Sequence, residues 1–129
     1  MTIKVQPLTP AFGAEVSGVD LLGASDEEFA QILDVFSRYG VIFFRDQDRL
    51  GEDAHIDLAK RFGEIHVHPA ARGKEAQYPG LVKMRTTGDS RVAAGNRWHS
   101  DVSCDEFPPQ ASILQLHQIP KLGGDTLFA

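Results

Sequence analysis

Several features are scarce or missing in this chain of 129 residues. It has a single cysteine, Cys104, so no disulfide can form within the chain, and we expect a cytoplasmic protein. Its longest apolar run, residues 41–44, is far too short to span a membrane, and no signal-peptide pattern is present. Lysine and arginine number 13 against 18 acidic residues, a net charge of −5. We therefore expect neither nucleic acid nor a membrane as a partner.

The rest of the composition is that of a folded domain. Apolar residues make up 42% of the chain and charged residues 24%, a balance that favours a soluble globular fold over disorder. The length suits one domain over residues 1–129. No internal repeat, linker or low-complexity segment divides it.

Two amphipathic helices are predicted in the first half of the chain. Ser25 and Glu28 have the spacing of a capping box, and Gly40 is a natural helix end, so the first helix lies between them. Its predicted apolar stripe is Phe29, Ile32, Leu33 and Phe36. The second helix is predicted over residues 52–61 and is closed by Gly63. Its apolar face is Ala54, Leu58 and Phe62.

The other segments have the pattern of strands. Extended pieces are predicted at residues 3–5, 13–21, 80–86 and 111–117, and residues 41–44 are predicted to be a short, fully buried strand. The first half of the chain combines helices with strands, and the second half is mostly strands. This order predicts an α+β fold that is mainly β with flanking helices. The chain stops inside the apparent strand 125–129, so we expect that a longer protein has been cut short.

The residues His99 and Asp101 form the strongest chemical signal. On a strand, positions i and i+2 face the same side, so the imidazole and the carboxylate would project into one cavity. A third ligand from elsewhere would complete the facial set of two histidines and one carboxylate that binds non-haem Fe(II). Taken alone, this spacing is a weak signal that more often indicates a hydrogen-bonded histidine–aspartate pair than a metal site.

Further motifs give the pair a context. They lie at residues 13–21, 41–47, 61–69, 96–103, 108–109 and 123–129, and in this order they resemble the TauD/TfdA family of dioxygenases, closest to its taurine dioxygenase branch. The resemblance covers nearly the whole chain. It implies a double-stranded β-helix, or jelly roll, which is apparently truncated here, and we expect the full-length protein to be a homo-oligomer.

The same resemblance implies a reaction and its cofactors. Fe(II) would be bound by His99 and Asp101, and Thr126 would hydrogen-bond a carboxylate of the co-substrate 2-oxoglutarate. O2 is the second co-substrate, and a small organic acid is hydroxylated as 2-oxoglutarate is converted to succinate and CO2. A hydroxyl group is a suitable donor to a carboxylate, because hydrogen bonds to charged acceptors are the stronger kind.

The substrate is predicted from His68 and Asn96. In taurine-type enzymes the histidine before the proline of this motif contacts the substrate sulfonate, which corresponds to His68. Two polar substrate residues of those enzymes are replaced here by Ala71 and Gly95, although Asn96 lies one position along. We expect a small anion other than taurine: a larger sulfonate, a sulfate ester or another carboxylate.

Three histidines remain outside this assignment. His55 is predicted to be a solvated surface residue, His66 to be structural, and His117 to be structural or at the surface. A zinc site at His66 and His68 is a minor alternative, because no further ligand lies at zinc-site spacing. No candidate in residues 1–129 matches the family's second iron histidine or its 2-oxoglutarate arginine, so we expect these residues alone to be inactive.

Two other classes of function compete with an oxygenase. One is a non-catalytic, degenerate family member that binds a metal or a small acid. The other is a cupin-like metal isomerase or sensor, which would share the fold class but not the dependence on 2-oxoglutarate. The motif around Thr126 favours the oxygenase.

Overall fold

A computed structural model describes residues 3–69, 77–90, 95 and 97–129. Its elements in chain order are β1 (Lys4–Pro7), β2 (Ala14–Ser17), α1 (Asp26–Tyr39), β3 (Ile42–Phe43) and α2 (Glu52–Lys60). The chain divides into two units, Met1–Leu50 with Gln115–Ala129 and Gly51–Leu114. This small sheet with its two helices agrees with the predicted combination of strands and helices, whereas the mainly β character and the jelly roll stay predictions. The prediction of a single domain over residues 1–129 stays a prediction.

The sheet of the first unit has the order β1-β2-β3. β1 and β2 are antiparallel, with Val5 opposite Val16, whereas β2 and β3 are parallel, with Ala14 opposite Ile42. Parallel neighbours need a long crossover, and α1 provides it. The backbone N–H of Ala14 donates to the carbonyl of Val41 at 3.0 Å, so the parallel pairing begins where the crossover ends.

Helix α1 begins and ends where the sequence predicts. The Ser25 hydroxyl accepts from the Glu28 backbone N–H at 3.2 Å, and the Glu28 carboxylate accepts from the Ser25 N–H at 3.0 Å, which completes the capping box. The C-cap is Gly40, whose φ of 68° suits glycine. These contacts need only neighbouring residues, which explains why the sequence is sufficient to predict both ends.

The core of the first unit lies between α1 and the sheet. Its buried apolar side chains are Ile3, Ala14, Val16, Phe29, Ile32, Val35 and Leu50. The predicted stripe of α1 is partly wrong, because Val35 is buried while Leu33 and Phe36 are only half-buried. The helix therefore buries positions i, i+3 and i+6, a face rotated about the helix axis from the predicted one.

The prediction for residues 41–44 is also wrong in part. Only Ile42 and Phe43 form the strand, and both are half-buried rather than fully buried. β3 lies at the edge of the described sheet and pairs on one side only. A run of four apolar residues can therefore be an edge strand, whose outer side no described strand covers.

Helix α2 follows in the second unit, with Gly51 as its N-cap. Leu58 is buried, whereas Ala54 and Phe62 are half-buried, so the predicted apolar face is confirmed at its centre. The helix ends at Lys60 with Arg61 as its C-cap, within one residue of the predicted span 52–61. No helix in the described part of the chain is long and apolar enough to cross a bilayer.

The predicted strands at residues 80–86, 111–117 and 125–129 do not form in the structure. Among the described residues neither ladder hydrogen bonds nor bridges occur in these segments, and Val82 and Met84 are 65% and 68% exposed. A strand requires both an apolar pattern and a partner with free backbone groups. The pattern is present in these segments, but no described backbone completes it.

Candidate metal site

The backbone at His99 and Asp101 is a loop that enters a turn. The strand geometry assumed for this pair is wrong: residues 98–100 have no ladder partner in the described part of the chain, and Asp101 begins a turn that continues to Cys104. Val102 has a φ of 50°, which ends the extended conformation, and the Asp105 N–H donates to the Val102 carbonyl at 3.1 Å. The two side chains nevertheless meet, because the turn directs the carboxylate back towards the imidazole.

The distance between His99 Nε2 and Asp101 Oδ1 is 3.2 Å. Two ligand atoms about 2.1 Å from one metal ion, at a right angle to each other, would be separated by roughly 3 Å. The pair therefore fits two neighbouring positions of an octahedral ion. Their side chains are 52% and 62% exposed, so the remaining positions are open to small molecules.

The other ring nitrogen of His99 determines which atom can bind metal. Nδ1 lies 2.7 Å from the Arg97 carbonyl oxygen, which can only accept a hydrogen bond, so Nδ1 carries a hydrogen. In the neutral ring the lone pair is then on Nε2, which faces the carboxylate. The lone pairs of His99 Nε2 and Asp101 Oδ1 repel each other at 3.2 Å unless a cation lies between them. A metal ion meets this need, and so does a proton on Nε2, which would make an ion pair.

Two further contacts surround this pair. The Ser112 hydroxyl donates to the other carboxylate oxygen of Asp101 at 3.4 Å. Gly95 lies beside the imidazole, where a Cβ would be in ordinary contact with His99 Cε1 at 3.4 Å, and its φ of 79° favours glycine. Hydrogen bonds to the outer atoms of metal ligands are common in metal sites, because they fix the orientation of the ligands.

A third protein ligand is not found in the described residues, which contain no group of three histidine, cysteine, aspartate or glutamate side chains able to hold a metal. The described residues therefore offer two candidate ligands, whose atoms are 3.2 Å apart. A histidine and a carboxylate with open positions beside them are part of the donor set that non-haem iron proteins use.

His66 and Asp105 form a second histidine–aspartate pair in the same unit. His66 Nε2–H donates to Asp105 Oδ2 at 2.8 Å, and the side chains are only 18% and 8% exposed. The prediction that His66 is structural agrees with this contact. Sequence analysis missed Asp105, which lies 39 positions away, and no local motif marks the contact.

The other predicted site residues are described in part. His68 is exposed, and Thr126 is exposed in the first unit. Asn96, and also Ala71, lie outside the described residues. The roles of His68, Thr126 and Asn96 in binding substrate or 2-oxoglutarate therefore stay predictions.

The two remaining histidines have different surroundings. His117 is exposed and its Nδ1 accepts from Arg49 at 2.9 Å, as expected of a structural surface residue. His55, in contrast, is half-buried, with Nε2 at 3.2 Å from the Ile113 carbonyl oxygen. The prediction of a solvated His55 is wrong, because the chain around Ile113 covers this face of α2.

An apolar cleft of about 280 Å³ lies in the second unit. Its lining residues are Ile56, Ile65, Val67, Tyr78, Pro79 and Gly80. At its rim the Tyr78 hydroxyl donates to Asp53 Oδ1 at 2.9 Å, and this hydrogen bond raises the pKa of Tyr78 above its ordinary value of 10.0. None of these described lining residues carries a positive charge.

Comparison with known proteins identifies the family. The family profile described as "Taurine catabolism dioxygenase TauD, TfdA family" matches residues 4–129, and the chain belongs to this family. This confirms the resemblance on which the assignment of His99 and Asp101 depends.

Named relatives agree with this result. The chain is 34% identical to an alpha-ketoglutarate-dependent sulfate ester dioxygenase of Pseudomonas putida, over 100% of this chain and 42% of the relative. It is 28% identical to an alpha-ketoglutarate-dependent sulfonate dioxygenase of Saccharomyces cerevisiae, over 98% and 33%. The crystal structure of a taurine dioxygenase from Burkholderia xenovorans is similar over 61% of this chain and 28% of that one, with 37% identity and a TM-score of 0.52. The chain thus spans less than half the length of each.

Proposed function

We propose that the whole protein is an Fe(II)- and 2-oxoglutarate-dependent dioxygenase that hydroxylates a small organic anion and releases succinate and CO2. The observation that carries this proposal is the arrangement of His99 and Asp101, in which the Nε2 lone pair faces a carboxylate oxygen at 3.2 Å and Nδ1 is held by a carbonyl. Membership of a family whose named relatives use alpha-ketoglutarate supports it. We also propose that the whole protein completes a jelly-roll fold and forms a homo-oligomer.

Each residue has a defined part in this proposal. His99 and Asp101 hold Fe(II), which when bound supplies the activation of O2 that organic side chains cannot perform. The Arg97 carbonyl keeps Nε2 free for the metal, and Ser112 orients the carboxylate. Thr126 donates its hydroxyl hydrogen to a carboxylate of 2-oxoglutarate.

The substrate is proposed to be an alkyl sulfonate, a sulfate ester or a related carboxylate larger than taurine. His68, exposed in the same unit as the metal ligands, binds the acid group, and Asn96 assists it. Two of the named relatives act on sulfonates and sulfate esters. Alanine at position 71 and glycine at position 95 remove polar groups that a small, tightly held anion would need.

A second candidate is a protein that binds a metal or a small acid without catalysis. The small number of candidate ligands favours this alternative, because the described residues supply only two, His99 and Asp101, and both side chains are more than half exposed. A cupin-like isomerase or sensor would also bind metal. Consumption of 2-oxoglutarate separates the dioxygenase from both alternatives.

The test is a substrate screen with the whole protein, Fe(II), ascorbate and 2-oxoglutarate. Taurine, hexanesulfonate, hexyl sulfate and a phenoxyacetate are compared by 2-oxoglutarate consumed, succinate formed and product detected. We expect turnover with at least one anion larger than taurine, no turnover in His99→Ala, and normal turnover in the matched surface variant His117→Ala. Consumption by none of the anions, or equal rates in His99→Ala and the wild type, would refute the dioxygenase. Taurine turnover as fast as that of the other sulfonate would refute the substrate assignment.

A further inference from the structure

We propose that His66 and Asp105 are positioning residues, which hold the candidate substrate-binding segment, residues 65–69, against the turn that carries the metal ligands. This inference rests on the proposed function. The hydrogen bond from His66 Nε2–H to Asp105 Oδ2 is 2.8 Å long and joins residues 39 positions apart. The pair is much less exposed, at 18% and 8%, than the metal pair at 52% and 62%.

The position of the pair in the chain gives it this role. His66 lies two residues before His68, and Asp105 closes the turn that begins at Asp101, through its N–H to the Val102 carbonyl. One hydrogen bond therefore links a backbone carrying a proposed substrate ligand to a backbone carrying a proposed metal ligand. Neither stretch is in a strand, so the described structure holds them by side-chain and turn contacts rather than by a ladder.

The alternation along residues 65–69 supports the same arrangement. Ile65 and Val67 line the apolar cleft, whereas His66 between them reaches Asp105. Neither His66 nor His68 is among the residues that line the cleft, as expected of a segment whose alternate side chains point to opposite sides. His66 therefore holds the segment to which the substrate acid would bind.

A shielded hydrogen bond with a charged acceptor is well suited to this task. It is shorter and stronger than a neutral one, and its strength depends less on solvent when the side chains are covered. The rate of a catalysed reaction depends strongly on how accurately the substrate is placed, because a misplacement of about 1 Å can reduce the rate roughly a hundredfold. Loss of this hydrogen bond should therefore weaken substrate binding, and the coupling of 2-oxoglutarate consumption to substrate hydroxylation, more than it weakens metal binding.

The test uses the whole protein and three variants. Asp105→Leu removes the acceptor, Asp105→Asn keeps an acceptor oxygen, and Glu106→Leu is the matched control at an exposed neighbour. Calorimetry measures the Kd of hexanesulfonate with the Mn(II) protein and 2-oxoglutarate, and separately the Kd of Mn(II). Hydrogen exchange measures the mobility of residues 65–69, and steady-state kinetics gives KM, kcat and the ratio of succinate to product.

We expect Asp105→Leu to raise the Kd and KM for hexanesulfonate about tenfold or more, with faster exchange at residues 65–69 and extra succinate per product. The Kd of Mn(II) should stay at the wild-type value, Asp105→Asn should recover most of the loss, and Glu106→Leu should behave as the wild type. Unchanged exchange and Kd in Asp105→Leu, or an equal loss of metal binding, would overturn the positioning role. If the wild type neither binds hexanesulfonate nor consumes 2-oxoglutarate, the proposed function fails, while hydrogen exchange still decides whether the pair holds the segment.

Discussion

Gly80 has no room for a side chain, so we expect its substitution by alanine to destabilise the protein. A Cβ at this position would lie 2.0 Å from Ile65 Cγ2 and 3.3 Å from the His66 carbonyl oxygen. Carbon atoms in contact are separated by about 3.5–4.0 Å, so a shift of roughly 1.5 Å or more is needed. Ile65 is β-branched and restricted at χ1, so moving Cγ2 away by rotation costs energy, and the contact with the His66 carbonyl oxygen remains.

The variant Gly80→Ala should therefore be less stable. Overpacking of this kind costs about 1–3 kcal/mol of unfolding free energy. Because Ile65 directly precedes His66, the displacement should also weaken substrate binding. Urea unfolding of the whole protein measures the first effect, and the KM of the preferred acid measures the second.

A double-mutant cycle identifies the cause. Ile65→Ala removes Cγ2, so Gly80→Ala should cost at least about 1 kcal/mol less in that background than alone. Gly88→Ala is the matched control, since a Cβ at Gly88 would meet nothing within 4 Å, and its effect should stay within about 0.5 kcal/mol. The reasoning is refuted by a Gly80→Ala variant as stable as the wild type, or by a cost that Ile65→Ala does not change.

Three further predictions concern the metal, the co-substrate and the first helix. Asp101→Asn should lower Mn(II) affinity roughly tenfold or more in calorimetry, and unchanged affinity would remove this ligand from the site. Thr126→Val should raise the KM for 2-oxoglutarate about tenfold without changing metal affinity, and an unaltered KM would contradict its assigned role. Ser25→Ala should lower the unfolding free energy by about 1 kcal/mol near neutral pH. The Ser25 N–H and hydroxyl, which donate to the Glu28 carboxylate, lower the pKa of Glu28 below its ordinary 4.5. Alanine keeps the Ser25 N–H, so the variant loses only the hydroxyl's share of this contribution, which is present above pH 4.5 and is lost as the pH falls through the lowered pKa. The hydroxyl also accepts from the Glu28 N–H at every pH, so the difference between the two unfolding curves should narrow in acid without vanishing; a difference that grows in acid would contradict the cause.

The features that the sequence predicts well are those that depend on neighbouring residues. The capping box of α1 and the stop at Gly40 each involve contacts within four positions. The burial of β3 and the strands predicted at residues 80–86 and 111–117 depend on distant partners, which an apolar pattern does not specify. For the same reason His55 is half-buried, since its cover comes from Ile113.

The candidate site divides in the same way. His99 and Asp101 are two residues apart, and a turn brings them together as well as a strand would have done. The contact between His66 and Asp105 spans 39 positions and has no motif, so only the structure identifies it. The roles of Thr126 and His68 are predicted from the family resemblance alone, and Thr126→Val tests the first of them.

The donor atoms at His99 and Asp101 have a practical consequence for metal supply. A site of one imidazole and one carboxylate, without thiolate, follows the general order of affinities, in which Fe(II) is bound more weakly than Ni(II), Cu(II) or Zn(II). Half-exposed ligands give competing ions ready access. The purified protein should therefore take up whichever of these metals is most available, so activity must be compared at known iron content, after chelation and reloading without air.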